Sequence, residues 1–169
     1  ADGSIEISKS YEGIESAEIE ISGGTISIVS SDDGINAAGG ADSSSVGGRP
    51  GQGMFSSDSG QITISGGYIF VNAAGDGIDS NGTLLVNGGI TLVSGPTDSA
   101  NGALDYEVSA DVSGGVLIAL GSSGMAQGFT SASSQGAISY NFASQSAGTP
   151  FAVVNEDGSV VASFTPPKA

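Results

Sequence analysis

Ile62-Thr63-Ile64-Ser65-Gly66-Gly67-Tyr68-Ile69-Phe70-Val71, followed by Gly75-Asp76-Gly77-Ile78-Asp79, is one full copy of a unit that recurs down the chain. Its first part places an apolar residue at every second position on both sides of a Gly-Gly pair. Its second part is an acid, a glycine, an apolar residue and an acid or amide. The second part returns as Glu12-Gly13-Ile14-Glu15 and Asp33-Gly34-Ile35-Asn36, and more loosely as Asn101-Gly102-Ala103-Leu104-Asp105. The first part returns around Gly23, Gly66, Gly88 and Gly114, at spacings of 43, 22 and 26 residues.

Alternation with a period of two marks strands, and a fixed recurrence of about 22 residues marks stacked units rather than a sandwich. The spacing of 43 contains one such period plus a Gly- and Ser-rich insertion at 41–60. The inward columns expected before the glycines are Ile19, Ile62, Leu84 and Ala110, and Ile21, Ile64, Val86 and Val112. After them come Ile26, Ile69 and Leu117, and Ile28, Val71 and Ala119, with Thr91 interrupting the alternation. The reading is an all-β, right-handed parallel β-helix with three short strands per rung, spanning 1–126. Rungs about 4.8 Å apart would bury one continuous apolar column. A nine-residue calcium β-roll is the rival, and the longer period argues against it.

Beyond residue 126 the chain turns Ser/Gly-rich, and 127–169 is expected to pack on the helix. Phe151 to Phe164 reads as a hairpin with Asp157-Gly158 in its turn. The outward row of Tyr68, Phe70, Ile90, Leu92, Val116 and Ile118 is too apolar to stay bare. The hairpin, the insertion, another protomer or a sugar face could cover it.

Eighteen acids against three bases give a net charge of -15, which excludes nucleic acid and anionic membrane surfaces as partners. No apolar run is long enough for membrane insertion. Without cysteine or histidine there is no disulfide, thiolate metal site or imidazole base. This composition suits a secreted, extracellular or cell-surface protein.

Stacking like residues puts carboxylate on carboxylate. Glu12, Asp33, Asp76 and Asn101 are expected in one column, and Glu15, Asn36, Asp79 and Asp105 in the next. Like charges about 4 Å apart repel by about 4 kcal/mol at an effective dielectric near 20. Either the acids splay into water or cations sit between rungs, and hard oxygen donors select Ca²⁺. Asp32 and Asp98 are additional candidate ligands. No catalytic residue is assigned, because the acids form a ladder rather than one isolated pair. Lys9, Arg49 and Lys168 are the only bases; Arg49 reads as a solvated surface charge and Lys9 as a balance for nearby acids.

These stretches, with Gly95-Pro96-Thr97, Gly121-Ser122-Ser123-Gly124-Met125-Ala126 and the closing Phe164-Thr165-Pro166-Pro167-Lys168, resemble a family of secreted parallel β-helix carbohydrate-binding proteins from cellulose- and pectin-degrading bacteria. That resemblance implies calcium along the helix and affinity for acidic polysaccharide such as polygalacturonate, and for cellulose. Tyr11 and Lys9 are the candidate sugar contacts. The family usually carries further rungs before a position like Gly3 and a further strand region after one like Lys168, so both ends here are expected to be cut. Exposed strand edges could then stack end to end into filaments. An extracellular fibre or surface scaffold is therefore the alternative function.

Overall fold

The computed structural model describes residues 2–37 and 60–169. Apart from Gly60, the insertion expected at 41–60 lies outside the described residues, as does Arg49. The described residues are all-β, with no helix.

Five long strands, β1 (Ser4–Ser10), β3 (Glu18–Ser30), β5 (Gly60–Ala73), β7 (Gly82–Ser94) and β9 (Ser109–Leu120), form one parallel sheet in that order. Four short strands, β2 (Ile14–Glu15), β4 (Ile35–Ala37), β6 (Ile78–Ser80) and β8 (Leu104–Tyr106), form a second sheet, again in sequence order and parallel. The chain thus alternates between two sheets and advances one strand in each per repeat. This connectivity is consistent with a β-helix-like fold. Register follows the repeat: Ile5, Ile26, Ile69, Thr91 and Leu117 are successive partners across the long sheet.

The two strands expected on either side of each Gly-Gly pair run on as one long strand with a register shift at the glycines. The reason is local. The second glycine of each pair (Gly24, Gly67, Gly89, Gly115) has φ between 77° and 95°, a left-handed conformation open to glycine. One such residue redirects the strand without ending its pairing. The first glycine is required by contact instead: a Cβ on Gly66 would lie 2.6 Å from the Ser22 carbonyl oxygen.

The core is built from the inward columns. Ile28, Ile62, Ile64, Ile69, Val71, Leu84 and Val86 are all fully buried. Thr91 keeps the inward register despite its polarity and is also fully buried, and its Oγ1 has no hydrogen-bond partner among the described residues. Thr91→Val preserves the shape and removes a desolvated hydroxyl. We expect it to stabilise the fold by about 1–2 kcal/mol in denaturant titration.

The C-terminal hairpin is present as β10 (Phe151–Val154) antiparallel to β11 (Val160–Phe164). It covers one of the two outward apolar rows. Phe164 packs with Leu92 and Ile118 as a buried cluster, joined by Phe70 and Phe151. The Phe164 and Phe70 rings meet edge to face at 6.2 Å. The other row keeps Tyr68 and Ile90 exposed, at 44% and 43%. Lys168 Nζ, whose pKa burial lowers, donates to the Ala73 carbonyl and ties the tail down. Phe164→Ala should cost about 3–5 kcal/mol of hairpin docking, read as faster proteolysis between residues 143 and 160.

The two outer edges of the long sheet differ. At β9, Thr130 donates its N–H to Ala110 O, and Ser134 and Gln135 donate theirs to Val112 O. At β1 the chain is exposed, with Ile5 at 50%.

Candidate metal site

The short strands carry the second expected column in register. Glu15 pairs with Asn36, Asn36 with Asp79, and Asp79 with Asp105. Close stacking there depends on the motif glycine, since a Cβ on Gly34 would sit 2.5 Å from the Gly77 carbonyl oxygen.

The first column holds for three members. Gly13 N–H donates to Asp33 O, and Gly34 N–H to Asp76 O, so Glu12, Asp33 and Asp76 superimpose. Asn101 does not continue the column. Gly77 N–H donates to Gly102 O, so Gly102 takes the place expected for Asn101. The fourth copy has one extra residue between its amide and its acid, and the Leu104 to Ile78 pairing moves that residue's effect toward Asn101.

Asp33 and Asp76 have a structural duty that the sequence reading did not foresee. Asp33 Oδ1 accepts the N–H of Asp76 at 2.6 Å, and Asp76 Oδ1 accepts that of Gly102 at 2.5 Å. Each acid therefore fastens its own repeat to the next. Fully buried Asn36 donates Nδ2 to Asp33 Oδ2 at 3.3 Å.

Among the described residues, Asp33, Asp76 and Asp79 each bring a carboxylate oxygen within 4.8 Å of the others. Asp33 is only 8% exposed. Burial pushes its pKa up to about 8, with the charges of Glu12, Asp76 and Asp79 adding and the Asp76 N–H opposing. Asp76 is raised by burial too, helped by Asp105, Asp32 and Asp98 and opposed by the Gly102 N–H. Three acids at this separation, with no base among them, form a donor set suited to a hard divalent cation.

The other expected ligands stand around this cluster rather than in it. Glu12 is half-buried and acts on Asp33 through its charge. Glu15 is exposed. Asp32 accepts a hydrogen bond from Tyr11, whose pKa that bond, with burial and nearby acids, pushes up to about 12. Asp32 Oδ1 and Asp33 Oδ1 each lie 2.5 Å from where a Gly75 Cβ would stand, so Gly75 leaves room for both carboxylates. Asp98 is exposed and accepts the Ala100 N–H at 2.8 Å. Asp105 accepts from Gln127 Nε2 at 2.7 Å, while Gln127 Oε1 takes the Tyr106 N–H at 3.2 Å. Lys9 is exposed, and Tyr11 is 47% exposed.

Gln127 was missed by the sequence reading. It stands 22 residues beyond Asp105, one ordinary period on, so the repeat length alone could have found it. It ends the acidic column with a neutral donor. The chain matches no family model, no curated protein and no solved structure.

Proposed function

We propose that the chain is a right-handed parallel β-helix of the solenoid type and a calcium-dependent, non-catalytic polysaccharide-binding module. It would work outside the cell or at its surface, on acidic polymers such as polygalacturonate and on cellulose. The observation that carries this reading is that Asp33, Asp76 and Asp79 each bring a carboxylate oxygen within 4.8 Å of the others. These three would hold Ca²⁺, with Asp32, Glu12 and Asn36 beside them.

Calcium takes 6–8 oxygen ligands, so three carboxylates leave positions for water, for carbonyls or for a sugar acid. A bound ion supplies charge neutralisation and a place for one uronate carboxylate. This chain's own residues set where that place lies and keep the carboxylates together through the Asp76 and Gly102 N–H bonds. Without the ion, a protein of net charge -15 repels an acidic polymer. Retardation in polygalacturonate affinity gels should therefore require calcium. Retardation that survives EDTA would remove the proposed mechanism.

Head-to-tail stacking into a scaffold would need two exposed strand edges. Residues 130–135 engage the edge of β9, which weighs against a filament, and we rank the binding module first.

A further inference from the structure

The stretch 134–148 is exposed throughout. Within it Ile138, Tyr140 and Phe142 stand at alternate positions and are 76%, 76% and 48% exposed. Tyr140 stacks on Phe142 at 6.4 Å and 26°, and Phe142 on Phe151 at 6.3 Å and 27°. Side chains two residues apart that share one stack mark an extended backbone. Among the described residues, no backbone N–H or C=O of residues 137–142 makes a hydrogen bond. The segment therefore has the shape of a strand without a strand to pair with. It is anchored through Phe151 to the Leu92, Ile118 and Phe164 cluster.

We infer that residues 137–143 are a self-association site, at which two copies of this chain pair this segment antiparallel about a two-fold axis through Tyr140. The residue order is matched to that geometry. Ala137-Ile138-Ser139-Tyr140-Asn141-Phe142-Ala143, laid against itself in reverse, sets Ile138 opposite Phe142, Ser139 opposite Asn141 and Tyr140 opposite Tyr140. Apolar residues then meet on one face as aromatic and β-branched pairs, which are favourable cross-strand partners. Ser139 and Asn141 meet on the other face, where hydroxyl and amide can exchange hydrogen bonds. The pairing also supplies partners to backbone groups that stand open like those of an edge strand. A slip of one residue would set Tyr140 against Ser139 or Asn141 and lose the match. Charge selects the same place. Two copies of net charge -15 repel each other, yet residues 112–155 contain no charged side chain. This surface can close on its twin without setting acid against acid. An isologous contact of this kind ends at a dimer. It uses neither the edge of β1 nor that of β9, and it is independent of the calcium and polysaccharide readings above.

The test is analytical ultracentrifugation of the full chain in EDTA, over a wide concentration series because one strand per copy makes a small interface. A monomer–dimer equilibrium is expected, tighter at high salt, which screens the remaining acids. Tyr140→Lys and Tyr140→Glu each set like charges opposite one another across the axis. Each should weaken the dimer about tenfold, and an equimolar mixture of the two should restore it. The chain has no cysteine, so Tyr140→Cys gives each copy a single thiol. Paired Cα atoms about 4.5–5.5 Å apart lie within disulfide reach, and oxidation should yield a covalent dimer. Ile138→Cys, about 13 Å from its twin along the strands, should not. A wild type that stays monomeric throughout the series overturns the inference, as does a dimer indifferent to both charged variants. Charged variants that fail to restore the dimer when mixed, or equal cross-linking at 138 and 140, overturn the pairing about Tyr140. Assembly that runs past the dimer and survives Tyr140→Lys overturns it in favour of the solenoid ends.

Discussion

In metal-free solution the protein should melt at steadily lower temperature as pH rises from about 4 to about 8, and calcium should reverse the trend. The sign follows from Asp33. Its folded pKa, raised to about 8 from 3.8, means that the folded state binds the proton more tightly than the unfolded state. The stability this contributes is fully present below pH 3.8 and is lost as pH climbs through about 8. Asp76, shifted the same way by burial, adds to the slope. The loss attributable to Asp33 is on the order of 5 kcal/mol across that window. For a chain of this size that corresponds to roughly 10–20 °C in Tm. A divalent cation competes with the proton for the same oxygens, so calcium should raise Tm far more at pH 8 than at pH 5. Calorimetric scans at both pH values, with EDTA and with millimolar calcium, measure all four corners. A metal-free Tm that climbs toward pH 8 would show that Asp33 is not a strained, buried acid.

Asp33→Asn should separate the structural duty of this residue from its ionic one. The amide oxygen can still accept the Asp76 N–H, so the link between repeats survives. The buried charge and its repulsion by Glu12, Asp76 and Asp79 disappear. We expect the metal-free variant at pH 8 to be more stable than the wild type by several kcal/mol, with a nearly flat pH profile. Its calcium response should be lost or greatly reduced. Asp33→Ala removes the same charge but should gain less in EDTA than Asp33→Asn, because it leaves the Asp76 N–H without its acceptor at a cost of about 1–3 kcal/mol. Chemical denaturation of the three proteins, with and without calcium, reads both effects.

Much of the fold is legible because the repeat speaks through side-chain period. The inward columns from Ile19 to Ala110 and from Ile26 to Leu117 follow from alternation on either side of Gly-Gly pairs, and the strand register agrees at each step. Thr91 shows that stacking fixes register even where polarity objects. The pairing of Asp79 with Asn36 and Asp105 was equally readable, since the motif keeps one spacing from its glycine to its last acid in the first three copies. Asn101 misled because the fourth copy inserts a residue, and only backbone hydrogen bonds reveal that Gly102 has taken its place.

The hidden part of the site is what depends on direction rather than spacing. Nothing in a string of residues says that Asp33 and Asp76 turn one oxygen toward the next backbone N–H. Nor does it say that Asp105 turns toward Gln127 while Asp33, Asp76 and Asp79 converge. Likewise, the need to cover Phe70, Leu92 and Ile118 was evident from their apolarity. The choice of that row over Tyr68 and Ile90 depended on where Phe164 could reach.

The most direct measurement is an anomalous difference map from crystals grown in calcium and soaked with a lanthanide at neutral pH. A peak coordinated by oxygens of Asp33, Asp76 and Asp79, at calcium-like distances of about 2.3–2.6 Å, is the predicted result. Well-ordered carboxylates with no peak among them would contradict it.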